Sequence, residues 1–491
     1  SGDTAAIENA PEPTLDQVVP VADEPTDNAI DDVPAASEAN PAAAASDQNN
    51  VFATADDVLP PDASDEDKLV YEFTRYKELM DLRVWDEADT AAKRVVELAL
   101  KMRGARSNDF AKALTNLAIV QHQNEQYDAA QQNYETAIEI IEENEDRLNA
   151  QLVNPLKGLG ASQMESGRPD LAKDTFSRAV HVTHVNEGPH NLNQLFILES
   201  LSEADLRLGD IESAEVIQDR IYAINRRMYP EDSFELVNPL MKRADWQHRA
   251  GFIYEERISL RYAIRIIEDH KGKSSLDLVD PLLKLGRSYF YADASGSQAL
   301  QKGGFATGEI YFKRAQRIAR ETEEPDWRVS AQTSLALGDH YMFQGNDQRA
   351  RRVYQDLWAD LSEGGTQEHL DYRGAVLEDY ITLSQRQLPQ FVQPDPDAPT
   401  ETDEPALEGE VAVAYVISSR GRATKLKIVD ADPEEFGDMV RFVTRELRSR
   451  VYRPKFIDAE PVNSDEQLLT HTFYYRQSDL DRIRAERAAR N

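Results

Sequence analysis

A small residue returns every 42 positions along most of this chain. Ala88, Ala130, Ala172 and Ala214 are evenly spaced, the frame continues through Glu256, and after a ten-residue insertion it resumes at Gly308 and Ala350. Four residues past this position stand Tyr134, Phe176, Phe312 and Tyr354; seven past it stand Ala137, Ala179, Ala263 and Ala315. Inside each period two apolar stripes at helical spacing flank a turn, marked by Gly167, Gly209, Gly251 or Gly345, and Asn154–Val180 displays the pattern most clearly. Small residues let two helix backbones approach, and large ones fill the space beside them. A unit of this kind cannot bury its own apolar face and must stack on its neighbours. The expected architecture is therefore an all-α solenoid of about seven helix pairs over residues 66–387, interrupted by an insertion at 292–304. Three first helices open with Asn154-Pro155, Asn238-Pro239 or Asp280-Pro281, which predicts a polar cap followed by proline in the first turn.

The flanks differ from the repeats. Residues 1–65 hold fifteen Asp or Glu and no Lys or Arg, with many Ala and Pro, and read as a disordered acidic spacer with Val51–Leu59 as a candidate docking motif. A net charge of −34 argues against nucleic acid as a partner, because phosphates would be repelled. The absence of cysteine excludes disulfides, thiolate metal sites and cysteine nucleophiles. No apolar run is long enough to span a membrane, and the first residues lack a signal-peptide pattern, so any signal or anchor is expected upstream of Ser1. His181, His184 and His190 are candidate metal ligands by the HVTH spacing, but they lead into a Glu187-Gly188-Pro189 turn without a carboxylate partner and read as solvated. The insertion does not match a phosphate loop. No nucleophile–base pair or metal constellation emerges, so the expectation is a non-enzymatic protein without cofactors.

After Gln387 the period changes. Residues 388–407 form a Pro-rich, acidic tether. Val411, Val413, Tyr415 and Ile417 then alternate as a strand with one buried face. Ser418–Gly421 turns the chain into a second strand, Thr424–Val429, with Leu426 and Ile428 expected inward. Asp432-Pro433 is expected to cap a helix with Phe436, Met439, Val440, Val443 and Leu447 on one face, and Leu468–Tyr475 supplies a last strand. The fold class is thus multidomain: the solenoid, then a small α+β domain of order β-β-α-β at 408–477, then a basic tail at 478–491 expected to be an exposed helical end or a weak contact for an acidic partner.

Leu117-Ala118, Tyr127, Ala130, Tyr134 and Ala137, with Leu337-Gly338, Tyr341, Gly345, Ala350 and Tyr354, resemble tetratricopeptide repeats of the long kind found in kinesin light chains. That resemblance implies a groove lined by first helices, with His122, Met164, Leu206, His248, Phe290 and Met342 in one groove-facing column. The column is either a peptide-binding stripe or ordinary packing between neighbouring first helices. Glu408–Val411, Arg420–Arg422, Ile428–Pro433 and Tyr452-Arg453-Pro454 together resemble the C-terminal domain of TonB-type energy transducers. This second resemblance implies that Thr470, His471, Thr472, Phe473, Tyr474 and Tyr475 add an extended segment of an outer-membrane transporter to the sheet edge; the alternative is that this strand only closes the domain's own core. It also implies a periplasmic or envelope location in a Gram-negative bacterium. The chain departs from that family in lacking a membrane helix, the tyrosine-proline motif before Glu408, and the glycine after the Y-x-P element, where Asp458-Ala459-Glu460 stands. Two functions follow as expectations: a binder of protein or peptide partners acting in transport or its energisation, or a scaffold whose terminal domain serves only for interaction or dimerisation. The oligomeric state is left open.

Overall fold

The computed structural model describes residues 59, 63–294, 308–323, 325–363, 365–384 and 404–490. Most of the acidic spacer, the insertion and the tether lie outside these residues. Ser64 closes the spacer, accepting a hydrogen bond from the Asp67 N–H while the Asp67 carboxylate accepts from the Ser64 N–H.

Seven helix pairs follow. They are α1 (Asp65–Asp81) with α2 (Trp85–Arg103), α3 (Asn108–Gln123) with α4 (Tyr127–Asn144), α5 (Val153–Glu165) with α6 (Pro169–Glu187), and α7 (Leu195–Arg207) with α8 (Ile211–Met228). Next come α9 (Val237–Arg249) with α10 (Ile253–Lys271), α11 (Val279–Ala294) with α12 (Glu309–Glu321), and α13 (Trp327–Phe343) with α14 (Asp347–Glu363). The described chain divides into two compact bodies, one ending at Pro239 and one beginning at Leu240. No described helix is long and apolar enough to cross a membrane.

The frame residues Ala88, Ala130, Ala172, Ala214 and Ala350 are all fully buried. Glu256, the exception in residue type, is also buried, with an oxygen 3.1 Å from His248 Nδ1. The aromatic four positions on packs over small first-helix residues; a methyl at Gly338 would overlap the Tyr354 ring. A polar clip, not anticipated from the sequence, recurs inside the pairs. Asn133 Nδ2 donates to Gln121 Oε1 (2.7 Å), Thr175 Oγ1 to Gln163 Oε1 (2.8 Å) and Ser259 Oγ to Gln247 Oε1 (2.8 Å). Each glutamine is buried and sits nine residues before the frame position. A buried amide oxygen must be satisfied, so the clip fixes the rotation of one helix against its mate.

The helix starts correct one expectation. Asn154, Asn238 and Asp280 are not caps: one-turn 3-10 segments, Ala150–Leu152, Phe234–Leu236 and Leu276–Leu278, come first, and the helices open at Val153, Val237 and Val279. Leu152, Leu236 and Leu278 are 0% exposed. Burying a leucine contributes about 1.5–3 kcal/mol, against about 1 kcal/mol for a cap, so the leucine sets the geometry.

Beyond α14 the repeat is truncated. Helix α15 (Gln367–Leu377) is followed by strand β1 (Ile381–Ser384), which the sequence reading had placed within the solenoid. β1 pairs antiparallel with β4 (Val451–Arg453), so the terminal domain recruits a strand from before the tether. β2 (Leu407–Ile417) lies between β3 (Ala423–Asp432) and β7 (Glu466–Tyr475) in an antiparallel sheet, while β5 (Lys455–Ile457) and β6 (Glu460–Val462) form a separate hairpin. Val411, Val413, Tyr415 and Ile417 enter a core with Met439, Val443 and Leu447 from helix α16 (Gly437–Ser449).

Three expectations about this domain change. Ile428 is 51% exposed on the outer strand β3, although it pairs with the buried Val413, whereas Leu426 packs against the core. Asp432-Pro433 ends β3, and α16 starts at Gly437 without a side-chain cap. The basic tail forms helix α17 (Gln477–Arg490), whose Leu480 is buried in the domain core and whose Arg484 donates to Glu435 at 2.7 Å.

Candidate partner-binding surfaces

The six residues of the first-helix column have different environments. His122 is buried, and its Nδ1 lies 2.9 Å from Ser162 Oγ on the next first helix. Ser162 Oγ donates to the Gly158 carbonyl at 3.0 Å, which leaves it an acceptor and makes Nδ1 the protonated nitrogen of a neutral His122. Burial lowers the pKa of His122 to about 4. Met164 is buried in the core shared by α3 to α8. Leu206 and His248 are half-buried. Phe290 is half-buried too, its ring stacked on Phe343 with centroids 4.4 Å apart. Met342 is 2% exposed and lies under the β2–β3 turn, where a methyl on Gly421 would overlap its Cε. His122, Met164 and Met342 are therefore positions of interior packing. The three half-buried members provide what surface the column has.

Strand β7 pairs with β2 in continuous register from Leu407↔Tyr475 to Val416↔Glu466. Among the described residues no strand pairs with its other side. Its side chains alternate. His471 and Phe473 are buried, and Phe436 lies 5.3 Å from the Phe473 ring and 5.0 Å from the Tyr475 ring. Phe473 fills the space over Gly409, where a Cβ would stand 2.5 Å from the ring's Cζ. Leu468 (62% exposed), Thr470, Thr472 and Tyr474 (36%) face outward. An outer edge of this kind presents backbone N–H and C=O groups to an incoming extended chain, with alternate side chains for selection.

The terminal domain is held by contacts that no sequence motif announces. Arg453 on β4 reaches α13 with a bidentate ion pair, Nε to Asp339 Oδ1 at 2.9 Å and Nη2 to Oδ2 at 2.7 Å. Its Nη1 donates to the Val376 carbonyl at 3.0 Å, and the Tyr354 hydroxyl donates to Asp339 at 2.7 Å. Phe456 is fully buried against Tyr354 and Trp358, and Gln355 donates to the Ala459 carbonyl at 3.1 Å. The only sequence signal was the arginine of Tyr452-Arg453-Pro454, and nothing marked Asp339 as its partner.

His181, His184 and His190 are exposed, and no metal-holding group of His, Asp or Glu occurs among the described residues. No family model and no curated protein matches this sequence. Among solved structures, the chain is similar to TPR-like repeats of a putative kinesin light chain from Podosopora anserina, at 14% identity and a TM-score of 0.39, over 42% of this chain and 97% of that one. It is similar to BtubC (BKLC) from P. vanneervenii at 19% identity and a TM-score of 0.38, over 49% of this chain and 94% of that one. A TPR repeat-containing protein from Cytophaga hutchinsonii gives 11% identity and a TM-score of 0.38, over 60% and 97%.

Proposed function

We propose that this protein is a non-enzymatic binding protein of the bacterial cell envelope. It captures an extended segment of a partner by adding it to β7. The observation that supports the reading is the outer edge of β7, with Leu468, Thr470, Thr472 and Tyr474 outward and Phe473 anchoring the strand from behind. Fixing the strand through Phe473 keeps the edge rigid, so less order has to be imposed on binding. In the finer form of the proposal the segment belongs to a TonB-dependent outer-membrane transporter, and the capture serves transport.

Hydrogen exchange tests the mode of binding. An extended transporter peptide bound by strand addition slows exchange at alternate amides between Glu466 and Tyr475. Binding that leaves these amides unchanged rejects the edge. Leu468→Lys with Thr470→Lys places charge on the outward face and is expected to abolish co-purification with the transporter.

A second reading, a scaffold that uses the terminal domain only as a cap or interaction module, is favoured by the Arg453–Asp339 clamp. A domain bound rigidly to the last helix pair suits assembly better than long-reach capture. On that reading the lysine substitutions leave complex assembly intact.

A further inference from the structure

On α10, α11 and α12 two arginines and two tyrosines meet with no carboxylate among them. Arg257 is fixed by Ser288: its Nε donates to Oγ at 3.0 Å and its Nη2 to the carbonyl at 2.8 Å. Its guanidinium lies over the Tyr289 ring, 4.1 Å from the centroid. Arg261, one helical turn on and exposed, donates from Nη2 to the Tyr289 hydroxyl at 2.8 Å. Tyr289 stacks on Tyr311, with centroids 5.7 Å apart.

Some arginines of this body are paired with carboxylates and others are not. Arg314, Arg320, Arg349, Arg351 and Arg453 all meet a carboxylate. Arg257 and Arg261 meet none among the described side chains, in a protein of net charge −34. Two guanidinia and two phenol hydroxyls grouped in this way are donors of the kind that bind a tetrahedral oxyanion. Planar arginine forks recognise such groups through paired N–H bonds, and the stacked rings hold those forks in place.

We propose that Arg257, Arg261, Tyr289 and Tyr311 form a binding site for a phosphate group. The group is either inorganic phosphate or the phosphomonoester of a modified partner side chain. Ile258 and Ile310, 51% and 53% exposed on the same two helices, offer apolar surface beside it that only the larger ligand would use.

The full chain is titrated by calorimetry with inorganic phosphate and with a phosphoserine peptide carrying leucines beside the phosphoserine. Saturable binding of at least one is expected. Arg261→Gln with Tyr311→Phe should weaken it at least about tenfold, as loss of a charge-assisted bond predicts. Arg257→Gln tests the second fork, and because it also breaks the Ser288 contacts, its melting temperature is read alongside. Arg317→Gln, on the exposed face of α12, removes the same charge outside the cluster and should change affinity less than about twofold. Tighter binding of the peptide, lost on Ile258→Ser with Ile310→Ser, assigns the site to a modified partner; equal binding assigns it to the free anion. The proposal is overturned if neither ligand saturates the protein, if an unphosphorylated glutamate peptide binds equally well, or if Arg317→Gln costs as much as the paired substitution.

Discussion

The helix pairs and the terminal domain solve the same problem, burying apolar surface, by different means. In the pairs the contacts are short-range and repeated: the buried frame alanine, the aromatic four residues on, and the glutamine clip all lie within one period. In the terminal domain they are long-range and unique. β1 and β4 join residues on either side of the tether, β2 pairs with β7 across the whole domain, and Arg453 finds Asp339 in a different element of the chain. Damage to a repeated contact removes one of several equivalents, whereas damage to a unique one has no substitute.

The largest expected effect tests the unique contacts. Arg453→Ala leaves the half-buried Asp339 without its cation and should destabilise the body from Leu240 onward by about 3–4 kcal/mol, the lower part of the range for a broken buried pair. Calorimetry should show the terminal domain melting apart from the helix pairs. A single unchanged transition would mean that apolar packing at Phe456 holds the domain alone. Replacing both partners, Arg453→Met with Asp339→Leu, should recover much of the loss.

The next effect is a pH dependence confined to the repeats. His122 has a folded pKa of about 4, below the unfolded value of about 6.5, so the unfolded chain binds the proton more readily. The stability from neutral His122 is complete above about pH 6.5 and falls as pH drops toward 4, by up to about 3 kcal/mol. Melting temperatures at pH 7.5 and 5 should differ less in His122→Gln than in the unaltered protein. An equal difference would remove His122 as the cause.

A smaller effect probes repeated packing. Gly338→Ala forces the Tyr354 ring aside and should cost about 1–3 kcal/mol by overpacking. Tyr354 also holds Asp339, so this change should further weaken the Arg453 clamp. Gly338→Ala made together with Arg453→Ala should then cost less than the two separately, as chemical denaturation can measure. Smallest is the clip: Thr175→Val leaves Gln163 without its donor and should cost about 1 kcal/mol, with no change in the terminal domain.

The sequence showed the repeats clearly because their information is local. A period of 42 with an alanine, an aromatic and a glycine in fixed register specifies which helix faces meet, and those faces are buried as read. It misplaced the helix starts because Asn154-Pro155 matches a cap pattern, while the deciding residue, Leu152, acts through burial that only its neighbours create. In the terminal domain, alternation identified Val411, Val413, Tyr415 and Ile417 correctly, but could not show that Ile428, on the outer strand β3, stays exposed. The named column mixed surface with interior for the same reason: periodicity gives the side of a helix, and not what lies over it. Met342 has the same place in its repeat as Phe290, yet the Gly421 turn covers it.

The sequence alone therefore determined the unit, its count and the change of regime after Gln387, since each depends on residues a few turns apart. Only the tertiary structure decided that β1 crosses the tether and that Arg453 seeks Asp339. Those outcomes depend on pairing between segments separated by many tens of residues, where burial and charge compensation select the partner and no spacing in the chain records the choice.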